Sequence, residues 1–414
     1  MPFSSRPAAV SSLSHLSRFT IRRTFIDAKI KWVRDSYLDA VVEREKNLKA
    51  ALSLKHFILS SPSLSLPVSL ASLQRHRLNL PTTALKFFQK YPSLFKIFQP
   101  RSSASRAHVK LSPQLLSLHK EERAIHESPT QRESAAMRLA KLMMLARACR
   151  IPLNIIDDLK YDLGLPDNYI LDLVSYFPDY FRICDMKYGS NVVDSGANGG
   201  NFGHLEGRET FGLELIGWRK ELAISAIERK ALGDDYGSRR GVLIRFPLSF
   251  TPGFELQKKV KNWTEEWQCL PYISPYEDAF HLAPSSDQAE KWMVAVIHEI
   301  LNLLVSKKTE MGNILRLGDY LGFGFRFKKA LVHQPGMFHV SNKIKTQTVV
   351  LREAYRKDFL LEKHPLMGMR HRYIHLMNQS SKQKKAVKKL TARCNMWSAK
   401  DIEESTGVRS IEVY

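Results

Sequence analysis

The sequence predicts a mainly α-helical chain of stacked helix-pair repeats, interrupted by a small β-sheet or hairpin. Three observations predict it: a proline-punctuated pattern that recurs, apolar residues spaced for one-sided helices, and a middle stretch whose residues suit strands. The pattern running from Leu66-Pro67 to Leu78-Asn79-Leu80-Pro81 returns 85 residues later, from Ile151-Pro152 to Leu163-Gly164-Leu165-Pro166. Each is followed by a second proline block, Tyr91-Pro92-Ser93-Leu94-Phe95 and Tyr176-Phe177-Pro178-Asp179-Tyr180-Phe181, the latter one residue longer. A weaker third copy lies 243 residues beyond the first, where Leu321-Gly322-Phe323-Gly324 leads to Gln334-Pro335-Gly336-Met337-Phe338. The units fall near 48–98, 135–183 and 300–341.

Taken in order, residues 1–26 hold six serines, four arginines and no acid. That is the composition of an organelle transit peptide, and Leu13, Leu16, Phe19 and Ile21 among arginines suit an amphipathic helix. A mitochondrial address is expected, with the chloroplast as the alternative. Residues 48–60 and 135–146 read as helices that precede the first and second units. Within a unit, Pro67 or Pro152 suits the first turn of a helix, where a missing N–H costs nothing. Leu70 and Leu73 would give that helix its apolar face. Pro81 or Pro166 stops it, because the residue before proline avoids the α region. Leu85, Phe88 and Tyr91 then line one side of the next helix, and Phe95 or Phe181 folds back as a plug. Such a pair cannot bury its face alone and is expected to stack on a neighbour.

The middle differs. Residues 187–207, rich in Gly, Asn and Ser, read as a flexible insert. Leu213–Trp218 and Val242–Leu248 resemble short strands, and Phe338–Ser341 with Thr348–Leu351 reads as a hairpin. After Tyr355 the chain is expected to be helical again, then to run into a basic tail over 379–414.

Charge points to the partner. The chain carries 63 Lys+Arg against 41 Asp+Glu, a net +22, and the excess is concentrated in two stretches. Lys46 to Lys120 holds twelve cations and no acid; Lys363 to Lys400 holds ten and no acid. Two acid-free blocks look like a footprint for phosphate. The candidate contacts are Lys55, Arg75, Arg77, Lys86, Lys90, Lys96 and Arg101, with Phe87 as an exposed stacking platform between them. Arg370, Arg372, Lys382, Lys384, Lys385, Lys388 and Lys389 extend the set at the other end.

Catalytic and metal motifs are weak by comparison. His298-Glu299 is half a zinc-protease motif, but Asn302 stands where the second histidine belongs. His371 and His375 lie four apart, yet beside Arg370 and Arg372 rather than a carboxylate or thiol. Asp157-Asp158, Asp234-Asp235 and Glu265-Glu266 are neighbours that point apart on a helix, so two-metal chemistry is disfavoured. Gly322-Phe323-Gly324 lacks the third glycine and the context of a nucleotide loop. Cys149, Cys184, Cys269 and Cys394 form no Cys-x-x-Cys pair, which speaks against a zinc ribbon or disulfide framework. No apolar run reaches the length of a membrane span. The expectation is a non-enzymatic chain without a cofactor.

The blocks KWVRDSYLDAVV, LSLKHFILSSPSLSLPVSL, LNLPTTALKFFQKYPSLFKIF, RLAKLMML, DLGLPDNYI, YFPDYFRI, LELIGW, QCLPYISPYED, EKWMVAVIHEILNLLVSKKTE, HQPGMFHVS and LREAY occur in that order. Together they resemble the plant organelle RNA recognition domain, the "What's this factor" family, over roughly residues 31–378. The resemblance implies an RNA-binding domain at 27–378 that binds group II intron RNA and promotes its splicing alongside other splicing factors. A nucleic-acid-binding factor of the organelle ribosome or transcription machinery is the alternative. Two departures stand out. The glycine-rich stretch before LELIGW is longer than is usual in the family, and Lys343-Ile344 stands where the family tends to have Lys-Gly.

Overall fold

The computed structural model describes residues 33–100, 107–186, 210–233, 243–255 and 257–379. The expected transit peptide, the glycine-rich insert, Arg101, Asp234-Asp235 and the tail beyond 379 lie outside the described residues. The described chain forms two bodies. The larger contains residues 33–43 and 125–364; the smaller contains 44–124 and 365–379.

The smaller body shows what one repeat is. Helix Leu48–Leu59 leads to the short strand Ser65–Pro67, helices Val68–Leu73 and Ala84–Lys90, and strands Phe95–Phe98 and His108–Leu111. The last strand is central and antiparallel to both others. Pleating sends Leu66, Phe95, Val109 and Leu111 inward, where each is buried. Helix Ala84–Lys90 adds Ala84, Phe87, Phe88 and Tyr91, spaced i, i+3, i+4, i+7. It stops at Tyr91, whose backbone leaves the helical region (φ −121°, ψ 62°) before Pro92.

The larger body holds the same order twice. The second copy runs from helix Pro129–Met144 through strand Arg150–Pro152, helix Leu153–Leu163 and the short turns Tyr169–Asp172 and Val174–Tyr176, to strands Phe181–Met186 and Thr210–Leu215. The third runs from helix Asp287–Leu303 through strand Lys308–Glu310, helices Met311–Tyr320 and Arg326–His333, to strands Phe338–Ser341 and Thr348–Leu351. In every copy the strand order is first, third, second. Helix–strand–helix–helix–strand–strand with that order is the connectivity of a winged helix.

Backbone geometry repeats at the same offsets as the sequence. Leu64, Cys149 and Lys307, each just before a first strand, have φ of 50°, 49° and 51°, a region that few residues with a side chain adopt. Gly164 and Gly322 close the helix that follows, and Asn79 closes the turns after Val68–Leu73, with φ of 68°, 86° and 50°. Each lets the next amide reach back five residues: Leu80 N–H to the Arg75 carbonyl, Leu165 to Lys160, Phe323 to Gly318. In the second and third copies that bond satisfies a carbonyl left open at a helix end.

Stacked bare helix pairs are therefore not the unit found. Each pair is closed by its own three-stranded sheet, so the sheet is part of every copy rather than a single interruption. Short strands such as Ser65–Pro67 and Arg150–Pro152 carry no alternating pattern long enough to read. Leu70 and Leu73 are exposed, and Ala71 takes the buried place on that helix. The hairpin 338–341/348–351 forms as expected. The segment 243–250 has no regular secondary structure and joins no sheet; the Gln268 amide instead bonds both backbone groups of Phe246. Among the described residues no helix is long and apolar enough to cross a membrane.

In the larger body the two copies share one core. Leu159 and Leu163 of the second join Ile300, Ile314, Leu317 and Phe327 of the third, all fully buried. Polar bonds lock the register: Thr309 donates to Asp162 at 2.6 Å and the Tyr320 hydroxyl to the Arg150 carbonyl at 2.8 Å. Gly318 lies where the Phe327 ring crosses its helix; a β-carbon there would come within 2.4 Å of the ring. Gly318→Ala is expected to lower stability by about 1–3 kcal/mol through overpacking, measured by urea denaturation.

Candidate nucleic-acid interface

Electrostatics single out the smaller body. Its described residues include fourteen Lys and Arg but three carboxylates. Glu122 is held by Lys55 and Tyr373, and Glu121 by Arg372. Among the described residues, exposed Arg75, Arg77, Lys86, Lys90, Lys96 and Lys110 are paired with no carboxylate.

Arg75 and Arg77 are exposed in the turn after helix Val68–Leu73. Lys86 and Lys90 sit four apart on the outer side of helix Ala84–Lys90, opposite its buried stripe. Lys90 lies 5.1 Å from the Tyr91 ring centre. Among the described residues, none of these four is paired with a carboxylate. Lys96 is exposed on the sheet, directly opposite Lys110.

Other candidates have different places. Lys55 is fully buried; its ammonium bonds the Glu122 carboxylate and lies 3.2 Å from the Tyr373 hydroxyl. It is part of the core and cannot reach a phosphate. Phe87 is 1% exposed and packs its ring 4.9 Å from Tyr91, so it is not a platform for bases. Arg370 is buried as well. Arg372 is exposed but clamped by Glu121, and that contact holds the Glu121 carboxyl below its usual range. Arg101, Lys382, Lys384, Lys385, Lys388 and Lys389 lie outside the described residues.

The signals for the two main corrections were present. Leu48, Ala51, Leu52, Lys55 and Ile58 form one helical stripe, which places Lys55 on the buried side. Phe87 belongs to the Ala84–Phe88–Tyr91 stripe in the same way, whereas Leu85 is exposed. Two residues that sequence reasoning missed are Lys110 and His108, because the strand that carries them was not expected.

Apparent catalytic fragments are structural. His298 is buried and its Nε2 lies 2.8 Å from Glu353. Asp158 pairs with Arg316. Among the described residues no group of three or more His, Cys, Asp or Glu is placed to hold a metal.

Comparison with known proteins accords with this geometry. Residues 33–382 match the family model described as the plant organelle RNA recognition domain. The chain is 33% identical to the Arabidopsis thaliana protein WHAT'S THIS FACTOR 9, mitochondrial, over 91% of its own length and 92% of that protein. It is 29% identical to the rice WHAT'S THIS FACTOR 1 homolog, chloroplastic (Oryza sativa subsp. japonica), over 83% of its length and 65% of the relative's. It is 28% identical to the Arabidopsis thaliana protein ROOT PRIMORDIUM DEFECTIVE 1, over 87% and 86%. No solved structure matches the chain. With the family model covering most of the sequence, this chain belongs to the plant organelle RNA recognition domain family.

Proposed function

We propose that this protein binds intron RNA in a plant organelle, the mitochondrion in the first place, and promotes group II splicing without cutting RNA itself. Other splicing factors are its expected partners. The carrying observation is the set of exposed cations on the first copy, Arg75, Arg77, Lys86 and Lys90, that the described carboxylates leave unmatched. A polyanion that displaces counterions supplies the missing charge, and the gain in solvent entropy drives binding. Family membership and a mitochondrial relative support the organelle and the class of RNA.

Sequencing RNA that co-purifies with the tagged protein from isolated mitochondria tests the reading. Enrichment of group II intron sequence is expected; enrichment of ribosomal RNA or of DNA would replace it with a ribosomal or transcriptional role. In vitro, single-stranded RNA is expected to bind with a log–log salt slope of about −3.5, as for about five neutralised phosphates. Changing Arg75, Arg77, Lys86 and Lys90 together to Ala should flatten that slope by about 2.8. Filter binding across a salt series measures both.

A further inference from the structure

The three copies place corresponding residues on the outer face of each sheet, and comparing them isolates one site. In the second copy, Arg150 and Arg182 flank Glu214 on the central strand and both bind its carboxylate, at 2.8 and 2.6 Å. In the third copy the corresponding face holds His339 and Ser341, and both bind the Asp39 carboxylate of helix Ser36–Arg44, at 3.1 and 2.6 Å. Each of these faces therefore carries an acid supplied by the protein.

The first copy is built differently. Lys110 stands on the central strand where the second copy has Glu214, and its neighbours there are Lys96 and Ser65. Two lysines stand directly opposite each other on adjacent strands, a like-charge pair that costs stability unless an anion joins them. Among the described residues no carboxylate is paired with either. Beside them Phe98 and His108 form a cross-strand aromatic pair, with ring centres 6.0 Å apart. The second copy has Cys184 and Gly212 at those positions, and the third has Ser341 and Thr348. The Lys110 ammonium lies 5.1 Å from the Phe98 ring centre. Phe98 and Lys110 border a cleft of about 320 Å³ that Ser63, Leu64 and Ser65 also line. That volume is at the small end of ligand pockets, the scale of one planar group.

We infer that the outer face of the first sheet is a binding site for one unpaired nucleotide of RNA, its phosphate between Lys96 and Lys110 and its base against Phe98 in the cleft. The phosphate takes the place that Glu214 and Asp39 fill in the other copies. A base has a flat face to lay on the ring, and its edge can donate to the Ser65 hydroxyl oxygen, whose own proton goes to Ser63 Oγ at 3.1 Å. A paired base inside a duplex has neither free. The site thus selects single-stranded segments, bulges or loops, and it adds to the helix-borne cations described above. The inference rests on the RNA-binding reading and names the RNA element this face takes.

Fluorescence anisotropy of the full chain with a short labelled single-stranded RNA, and with its duplex, tests it. Lys110→Glu sets an acid opposite Lys96, as Glu214 stands opposite Arg182 in the second copy, so its thermal midpoint should hold. Its affinity for the single strand should fall at least about tenfold, with a salt slope shallower by about 0.7 or more. Phe98→Leu keeps an apolar side chain but removes the ring. It should weaken single-strand binding about tenfold while leaving the salt slope and duplex binding unchanged. Should Lys110→Glu fail to fold, Lys96→Gln carries the same charge test. Wild-type protein that binds neither RNA overturns the RNA-binding reading itself. Wild-type protein that binds the single strand while both variants bind equally well overturns this site alone.

Discussion

Lys55→Met is expected to destabilise the smaller body by about 3–5 kcal/mol, the range for a buried ion pair that loses one partner. The Lys55 side chain has no exposure, and its ammonium is held by Glu122 and the Tyr373 hydroxyl. Tyr373 also donates to Glu122 at 2.8 Å, which ties helix 365–379 to the Leu48–Leu59 and Pro113–Glu127 helices. Removing the cation leaves a carboxylate surrounded by protein with too few donors. Lys55→Met combined with Glu122→Leu should recover most of the loss, because it removes the uncompensated charge as well. Urea melts of the two variants give the comparison. Loss of hydrogen-exchange protection confined to residues 44–124 and 365–379 would locate the effect. A single variant as stable as wild type would mean that Glu122 finds water or another cation.

Glu299→Ala should cost the larger body a similar amount, about 3–5 kcal/mol. Its carboxylate is 1% exposed and accepts from the Lys141 ammonium at 2.9 Å, the Tyr276 hydroxyl at 2.7 Å and the Ala226 amide at 2.8 Å. That amide opens helix Ala226–Leu232, so the substitution also removes an acceptor from a helix start. Burial alone would raise the Glu299 carboxyl; Lys141 and the amide outweigh it and hold the group below its usual range. Burial and Glu299 together push the Tyr276 phenol well above its usual range. Burial likewise opposes the charge on Glu122, while His119, Lys55 and Tyr373 hold that carboxyl down.

A depressed carboxyl contributes stability that is complete above its unfolded value and fades as pH drops toward the folded one. Both bodies should therefore hold their stability down to about pH 4 and lose it below. Glu299→Gln should flatten the acid limb of the larger body. Thermal melts between neutral pH and about pH 3 would show whether it does; an acid limb of wild-type steepness would assign the titration to other groups.

Much of the helical half was legible because periodicity is a local signal. Leu48–Leu59 and Pro129–Met144 answer to the helices read at 48–60 and 135–146, and the punctuation at Asn79-Leu80-Pro81, Gly164-Leu165-Pro166 and Gly322-Phe323-Gly324 marked the copies. The sheets were mostly not legible. A three-residue strand has no period, and Ser65–Pro67 becomes one by pairing with residues more than forty positions away. The charge blocks located the cationic body but did not sort its members. Lys55 and Arg370 went inside, Arg372 found Glu121, and Arg75, Arg77, Lys86, Lys90 and Lys96 stayed exposed.

By itself the sequence determined that this is a repeated, mainly helical, strongly cationic chain, since composition and punctuation are written residue by residue, and its ordered motif blocks carried the resemblance to the RNA recognition family. Tertiary structure alone decided which cations are neutralised. That depends on what a strand or helix from elsewhere in the chain brings opposite them: Glu214 between two arginines, Asp39 on His339, and in the first copy a second lysine. Charge on a side chain is a local property, whereas its compensation is a property of the neighbours that folding supplies.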